Sequence, residues 1–362
     1  YGMALWFIFS PKPDYSSSEK RYLQKFPEVT AEKLLSGDFG SEFETFFADR
    51  FPQRNTWVGL NAYTALAEGN NGASGVYNCK NGYLINKPVS TENNLDKNIG
   101  AVADFAKSIG TPTTVMLVPS TGYIVDDVLP TFHDKYNDDE DISKISSTLS
   151  KDKIGFVDLR ERFKSEYKNG SQIYYKTDHH WTTKGAYTGY QELCKALGIT
   201  PIDDSTLKKD SYPDFYGTTY SSSGFWLTPP DNIEIWNNPK NSDRNISVKI
   251  TEGANIKTSG SMYFTDHLKE DDKYPVFIDG NHALTEITNT NAKNGTILLI
   301  KDSFSHSLAP FLAENYSKVV LVDLRYYKES VSDLVTTYNP EQVVVLYGID
   351  NLATDTDIVW LK

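Results

Sequence analysis

The stretch Thr296-Ile297-Leu298-Leu299-Ile300-Lys301-Asp302-Ser303-Phe304-Ser305 decides the fold class of this 362-residue chain. Its first five residues are apolar and rich in β-branched side chains, which predicts a buried strand. Helical spacing follows from Leu308 to Asn315. Two more strands, Lys318–Asp323 and Gln342–Tyr347, flank a predicted helix at Val331–Tyr338. Strands that alternate with helices imply a parallel sheet with right-handed crossovers.

The same alternation occurs in an earlier part of the chain. Apolar runs predict strands at Thr113–Val118 and Ile154–Leu159. Helical spacing is found at Leu95–Ile109, Ile142–Leu149, Arg160–Tyr167 and Gly185–Leu197. We therefore predict an α/β domain made of residues 91–199 and 291–362, in which helices flank a parallel sheet.

Two other regions have a different composition. Residues 13–90 predict an N-terminal extension with helices and a hairpin around Asn81-Gly82, a dipeptide typical of tight turns between strands. Residues 200–290 are rich in Pro, Ser and Asn, and contain short alternating runs. We predict that this segment is an irregular, β-rich insertion, with one of its strands at Tyr274–Ile278.

The first residues bear on location. Gly2–Phe9 is apolar and uncharged, and Ser10-Pro11-Lys12-Pro13 follows it. The run is too short to cross a bilayer, which needs about 20 apolar residues. We interpret residues 1–12 as the remnant of a membrane signal anchor, so the protein is expected outside the cytoplasm, secreted or anchored. A buried N-terminal strand is the alternative.

Composition restricts the partners. The formal net charge of −12 argues against nucleic acid, which requires a basic face. The only two cysteines, Cys79 and Cys194, are compatible with one disulfide or none, and they form no redox motif or metal cluster. No cofactor is expected.

The loop Tyr174-Tyr175-Lys176-Thr177-Asp178-His179-His180-Trp181 carries the first chemical signal. It precedes a helix for which Thr182 or Thr183 is a suitable N-cap. A histidine held by an aspartate is a common general base near neutral pH. An ordinary surface turn is the alternative.

A metal site at Asp178, His179 and His180 is a further interpretation. Adjacent histidines on a loop are expected to project apart. The other histidines show no ligand spacing, and they are His133, His267, His282 and His306. We therefore predict no metal.

A candidate nucleophile lies at the end of the deciding strand. Ser303 follows that strand and precedes a helix, where open α/β sheets present reactive groups and helix N–H groups can stabilise an oxyanion. A helix N-cap is the alternative role. Gly348-Ile349-Asp350-Asn351 places a small residue and an amide at another strand end. A hydroxyl, a base and oxyanion donors are the parts that acyl transfer needs.

These motifs resemble a known superfamily. Asp302-Ser303, Gly348–Asn351 and Asp178–His180 resemble the first, third and last blocks of SGNH hydrolases (GDSL-type esterases), in a changed order. The resemblance implies an SGNH-like, flavodoxin-like sheet that is circularly permuted, with residues 200–290 inserted at the join. Asp178-His179-His180-Trp181 is closer still to the DHHW family, which is similar to the SGNH-like domain of periplasmic alginate O-acetylation proteins. The similarity extends over roughly residues 40–355.

The resemblance also implies roles. Ser303 would be the nucleophile, His180 the base and Asp178 its orienter, with Trp181 packed beneath the loop. We also expect that the oxyanion or the substrate is contacted by Asn351, Gly348 and His179.

Two basic residues, Arg325 and Lys301, also bear on the site. Arg325 would add positive charge near the site, or it is a surface arginine. Lys301 occupies the position of the glycine that usually precedes Asp-Ser. Whether activity survives that change is left open by the sequence.

The sequence thus predicts an extracytoplasmic serine esterase or O-acetyltransferase. Its expected substrates are acyl groups, above all acetyl groups, on a cell-surface or secreted polysaccharide or other acylated glycan. A membrane partner that delivers the acyl group is a further expectation. The alternative is a non-catalytic cell-envelope module that keeps the fold and binds glycan or protein.

Overall fold

A computed structural model describes residues 14–16, 18–90 and 94–361. The predicted anchor remnant at residues 1–12 lies outside these ranges. Within them, no helix has both the length and the apolar character needed to cross a membrane.

The strands and helices are numbered here in chain order. The strands are β1 (Tyr15–Ser16), β2 (Arg21–Tyr22), β3 (Gly72–Ala73), β4 (Val76–Asn78), β5 (Leu84–Asn86), β6 (Thr113–Val118), β7 (Gly155–Asp158), β8 (Lys208–Phe215), β9 (Asp231–Asn237), β10 (Ile246–Glu252), β11 (Asn255–Ser259), β12 (Leu284–Asn289), β13 (Asn294–Lys301), β14 (Tyr316–Val322) and β15 (Gln342–Gly348). The helices are α1 (Ala31–Ser36), α2 (Asp38–Asp49), α3 (Arg54–Ala67), α4 (Asn94–Ile109), α5 (Thr121–Ile124), α6 (Asp138–Lys151), α7 (Arg160–Lys168), α8 (Thr183–Leu197), α9 (Thr218–Ser223), α10 (Ser305–Leu312), α11 (Val331–Tyr338) and α12 (Ile349–Thr354).

The central sheet has eight strands in the described part of the chain, in the order β11-β10-β12-β14-β13-β15-β6-β7. From β14 to β7, each neighbouring pair is parallel. If counting starts at β13 and passes from β15 to β6, the order of these five strands becomes 2-1-3-4-5. That is the flavodoxin-like order. The parallel α/β sheet and its permuted connection are therefore confirmed.

The parallel strands are buried on both faces, which explains their continuous apolar sequences. Along β15, Val343 and Val345 pack on one face, and Val344 and Leu346 pack on the other. Side chains of α4, α6, α11 and α12 cover the first face, and side chains of α7, α8 and α10 cover the second. The result is a three-layer arrangement with the sheet in the middle.

Residues 200–290 contribute β8 to β12. β10, β11 and β12 extend the central sheet as antiparallel strands, and β12 joins it to β14. β8 and β9 form a separate antiparallel pair. The strand predicted at Tyr274–Ile278 is wrong, because Tyr274–Val276 is a short 3₁₀ turn. Pro275 has a fixed φ and no backbone N–H to donate to a ladder, which favours the turn.

The N-terminal region contains α1 to α3 and the predicted hairpin between β4 and β5. Asn81 and Gly82 have φ values of 59° and 78°, as expected for the two central residues of a tight hairpin turn. Cys79 in this hairpin and Cys194 in α8 are both buried, free thiols. The predicted boundaries between regions remain predictions.

Candidate active site

The turn after β13 presents Ser303. It is held by the neighbouring carboxylate of Asp302, which accepts hydrogen bonds from the backbone N–H groups of Phe304 (2.9 Å) and Gly348 (2.8 Å). The side-chain amide of Asn351 donates a third, at 2.7 Å. Burial raises the pKa of Asp302, and these three donors oppose that effect. The turn is therefore fixed by groups from two adjacent strand ends.

The loop before α8 brings a histidine to this serine. His180 Nε2 lies 2.7 Å from Ser303 Oγ, and His180 Nδ1 lies 2.5 Å from Asp178 Oδ1. Since an ionised carboxylate only accepts, Nδ1 must carry the proton and Nε2 is free to accept from the serine hydroxyl. The structure thus brings Ser303, His180 and Asp178 together in the order of a serine-hydrolase triad.

Asp178 is buried yet ionised. Burial acts to raise its pKa, but His180, through its charge and its hydrogen bond, holds the pKa well below the usual value for an aspartate. The second carboxylate oxygen accepts from the backbone N–H (2.7 Å) and hydroxyl (3.1 Å) of Thr218. Asp178 is therefore suited to orient His180 and to stabilise its protonated form.

His179 lies beside this pair rather than pointing away from it. Its ring centroid is 3.8 Å from that of His180, so the expectation that the adjacent rings project apart is wrong. Its partial burial, more than any charge, lowers its pKa to about 3, which keeps the imidazole neutral. Its Nδ1 is 2.6 Å from Thr218 Oγ1, a contact that turns the ring towards Asp178.

This geometry also bears on metal binding. Asp178, His179 and His180 offer ligand atoms within 4.8 Å of one another. Both ring nitrogens of His180 are engaged, however, one by Asp178 and the other by Ser303. A metal bound to His180 would have to displace one of these two contacts, so the arrangement fits a proton relay better than a metal site.

Comparison with known proteins identifies the family. The family model described as DHHW protein matches residues 89–322, a range that contains both the Asp178–Trp181 motif and Ser303. The chain belongs to the DHHW family.

Solved structures show the same fold. A DHHW family protein from Eubacterium siraeum is 17% identical, with a TM-score of 0.66 over 80% of this chain and 95% of that one. Bacillus cereus PatB1, solved with a sulfonyl adduct, is 20% identical, with a TM-score of 0.65 over 78% of this chain and 97% of the other. The O-acetyltransferase domain of Pseudomonas putida AlgJ is 14% identical, with a TM-score of 0.51 over 80% and 95%. No curated protein sequence gave a match.

The DHHW tryptophan connects the two halves of the site. Trp181 is fully buried, and its indole N–H donates to the carbonyl of Phe304 (3.1 Å) and the hydroxyl of Ser307 (2.9 Å). Its ring meets that of Phe304 edge to face, with the centroids 5.6 Å apart. Trp181, the last residue of the motif, thus fixes the distance between the His180 loop and the serine turn.

Three further residues at the site were not predicted from the sequence, and all come from residues 200–290. Tyr274 stacks parallel on His180 with a centroid distance of 3.9 Å, and its hydroxyl donates to the carbonyl of Ser303 at 3.2 Å. Thr218 holds Asp178, as described above. Asp231 accepts from the backbone N–H of Thr177 at 2.8 Å and its hydroxyl at 2.7 Å. No spacing in the sequence connects these residues to the motif.

Lys301, which stands in place of a glycine, belongs to a buried cluster. Its Nζ is 2.7 Å from Asp323 Oδ2 and 2.8 Å from His306 Nε2. Arg325 donates twice to Asp323, at 2.8 and 2.6 Å. Arg325 also contributes to the lowered pKa of His179, so its charge reaches the site although it makes no direct contact with the triad. Lys301 therefore braces the serine turn from its inner side.

Gly348 and Asn351 lie at the site, but their donors are committed to Asp302. Gly348 also meets a packing need, since a Cβ there would lie 2.6 Å from the ring of Phe304. An amide carries a second N–H, so a direct contribution of Asn351 to an oxyanion remains a prediction.

Proposed function

We propose that this DHHW protein is a serine esterase or O-acetyltransferase that acts on acetyl groups of a polysaccharide outside the cytoplasm. The observation that carries the proposal is the continuous contact from Asp178 through His180 to Ser303, at 2.5 and 2.7 Å. Two solved relatives support it: one is an O-acetyltransferase domain, and the other carries a sulfonyl adduct.

In the proposed first half-reaction, Ser303 Oγ attacks the ester carbonyl carbon while its proton passes to His180 Nε2. The bond between that carbon and the alkoxy oxygen then breaks, and the leaving alcohol takes the proton from His180. An acyl group remains on Ser303. Asp178 stays ionised throughout and stabilises the imidazolium.

The second half-reaction returns the enzyme to its starting state. His180 Nε2 takes a proton from water or from a sugar hydroxyl, whose oxygen attacks the acyl carbon. The bond to Ser303 Oγ breaks, and that oxygen recovers the proton. Water gives hydrolysis and a sugar gives transfer, so the balance depends on how well the site excludes water.

The proposal includes a location and a partner. The apolar run Gly2–Phe9 supports an extracytoplasmic location with a membrane anchor. In that setting, a membrane protein that supplies the acyl group is the proposed partner for transfer.

One observation favours the alternative of a non-catalytic module that binds glycan or protein. The two expected oxyanion donors, the Gly348 N–H and the Asn351 amide, both donate to Asp302. Because each of these groups already donates one hydrogen bond to Asp302, fewer donors remain for an oxyanion. Preorganised oxyanion donors supply much of the stabilisation of the transition state, so a site that lacked them would bind an ester without accelerating its cleavage.

Labelling with a serine-directed fluorophosphonate tests the proposal. We expect stoichiometric labelling of the wild type at Ser303, and its loss in Ser303→Ala and His180→Ala. Ser305→Ala is a matched control, because Ser305 lies in the same turn and its buried hydroxyl has no hydrogen-bond partner. Labelling that persists in Ser303→Ala would refute the nucleophile. If the wild type is not labelled, and if it binds glycans as well as Ser303→Ala does, the binding module would be favoured.

A further inference from the structure

A narrow cavity lies beside the triad, with ≈ 480 Å³ of empty space when the open solvent at its mouth is included. It sits at the carboxyl ends of β6 and β15, which pair there through Val118 and Gly348, and this is where open α/β sheets bind ligands. His179 and Phe304 line its catalytic side, and strand β5 of the N-terminal hairpin lines the opposite side. Neither Ser303 nor His180 belongs to its wall, so the acyl-transfer steps leave the cavity unexplained.

Several polar groups in the wall lack partners. Asp350 Oδ1 accepts from Ser120 Oγ at 3.1 Å, whereas Oδ2 has no hydrogen-bond partner among the residues described. Thr219 is only 2% exposed, and its hydroxyl is also unpartnered. His179 uses Nδ1 for Thr218 and leaves Nε2 without a hydrogen-bond partner in the described ranges. Buried polar groups are normally satisfied, so the buried Thr219 hydroxyl points to a ligand in this cavity, and Asp350 and His179 offer that ligand two further polar atoms.

The charge of the cavity restricts that ligand. No Lys or Arg lines it in the described part of the chain. Asp138 lies next to Asp350, and burial together with Asp138 raises the pKa of Asp350 to about 7. Above this pH the group is a carboxylate, which attracts hydroxyl donors and repels anions.

The wall also contains apolar side chains. Val118, Phe304 and Ile349 are among them. Such a surface suits the C–H face of a sugar ring, while the open polar groups suit its hydroxyls.

We propose that this cavity receives the hydroxyl-bearing edge of a neutral sugar that carries the ester, with Asp350 accepting a hydrogen bond from a hydroxyl. Thr219 and His179 complete the contact. The inference rests on the proposed function and narrows its substrate class: neutral pyranose esters are accepted, and uronate esters, which carry a carboxylate on the ring, are rejected.

The kinetic test compares three esters: acetylated methyl glucopyranosides, the matching acetylated glucopyranosiduronates, and 4-nitrophenyl acetate, whose leaving group has no hydroxyl. For the wild type at pH 8, where Asp350 is ionised, we expect kcat/KM to favour the neutral sugar ester over the uronate by about tenfold or more, because like charges repel at short range. The readout for Asp350 is kcat/KM for the neutral sugar ester divided by kcat/KM for 4-nitrophenyl acetate. Asp350→Ala should lower this ratio about tenfold to a hundredfold, the usual range for a lost hydrogen bond to a charged group.

Two further variants sharpen the test. Asp350→Asn removes the charge at constant size and should reduce the discrimination against the uronate. Asp104→Asn, in an exposed carboxylate of α4, is the control and should leave both ratios unchanged. Circular dichroism verifies that each variant is folded. Ratios for Asp350→Ala and Asp350→Asn within about twofold of wild type would overturn the inference, since a functional hydrogen bond to a charged group exceeds that effect.

The outcome separates the inference from the proposed function. Ester turnover that persists in Ser303→Ala would refute the function and leave the cavity to be judged by binding alone. Saturation-transfer NMR on the wild type then decides, with methyl glucopyranoside and its uronate as probes. Signal for the neutral probe that is lost in Asp350→Ala supports the cavity, and equal signal for both probes overturns it.

Discussion

The parallel sheet and residues 200–290 make different contributions to the site. The sheet and its connecting loops supply the triad itself, at strand ends and before a helix. Residues 200–290 supply none of the triad, but they provide Thr218, Asp231 and Tyr274, which hold it in place. The reactive groups and the groups that orient them therefore come from separate regions.

The two sides of the triad are also held by different parts of the fold. Ser303 is held by its neighbour Asp302, which contacts Phe304 in the same turn, and Gly348 and Asn351 at and just after the end of the adjacent strand, β15. The Asp178 loop depends on Thr218, 40 residues later, and the preceding Thr177 depends on Asp231, 54 residues later. We infer that the serine turn is fixed by two strand ends of the parallel sheet, whereas the histidine loop takes its geometry from the docking of residues 200–290.

The largest expected effects come from the triad. His180→Ala should lower kcat on the order of 10⁶-fold, as loss of the base does in serine proteases. Asp178→Asn should cost about 10⁴-fold, because the amide no longer selects the tautomer with the proton on Nδ1. Turnover of 4-nitrophenyl acetate measures both, and Ser305→Ala is the control. An Asp178→Asn protein as active as the wild type would contradict the assigned orientation of His180.

Gly217→Ala tests whether residues 200–290 set the geometry of the loop. A Cβ at this position would lie 2.1 Å from Asp178 Cβ, so the aspartate must move. A displacement of about 1 Å at a reacting group costs about a hundredfold in rate. We expect that loss in kcat/KM with a much smaller change in Tm. Gly100→Ala, where a Cβ meets nothing within 4 Å, should leave the rate unchanged. An equally unchanged rate for Gly217→Ala would show that the loop adjusts freely.

The charged cluster behind the serine turn should matter for stability. Asp323→Ala leaves Lys301 buried beside Arg325 without a counter-charge, which should lower the free energy of unfolding by about 3–5 kcal/mol. Lys301→Met should cost less, because Asp323 keeps its two hydrogen bonds from Arg325. Urea denaturation measures both. Lys135→Ala removes an exposed ion pair and should leave stability close to that of the wild type. An inverted order of the two buried variants would refute the assigned pairing.

The smallest expected effect depends on pH. Burial and Asp138 raise the pKa of Asp350 to about 7 in the folded protein, against about 3.9 for an unperturbed aspartate. Between these values the folded state binds more protons than the unfolded state, so the contribution of Asp350 to stability is present at low pH and is lost as the pH rises towards 7. Asp350→Asn should therefore raise Tm relative to wild type more at pH 8 than at pH 5. For the control Asp104→Asn, the difference in Tm from wild type should be the same at both pH values. If the effect of Asp350→Asn on Tm is also independent of pH, the raised pKa is contradicted.

Much of the parallel sheet could be predicted from the sequence. Strands such as Thr296–Ile300 are apolar because both faces are buried, and their pattern survives in any context. Asp178, His180 and Ser303 were recognised because the motif and the strand end are short, local signals. Thr182 was one of two predicted N-caps, and its hydroxyl accepts from Gly185 as the helix begins.

The missed features are contacts between residues that are distant in sequence. Tyr274 was assigned to a strand because its apolar run alternates, and only the packing around His180 gives it another role. The sequence shows that Lys301 stands in place of a glycine. It does not show the partners that stabilise the lysine, because they lie at the end of β14 and in α10. The antiparallel strands β10 to β12 were expected within an insertion, but the pairing of β12 with β14 depends on register across the sheet.

The position of β6 between β7 and β15 has a consequence for synthesis. β6 pairs with β15 through Thr113 and Val343, more than 200 residues apart in the chain. While the ribosome makes the intervening residues, one hydrogen-bonding edge of β6 has no native neighbour. Unpaired apolar edges recruit other strands, and distant pairings form slowly. Chaperone demand for this protein should therefore persist until residue 348 has emerged, even though the strand that needs protection is among the first of the sheet to be made.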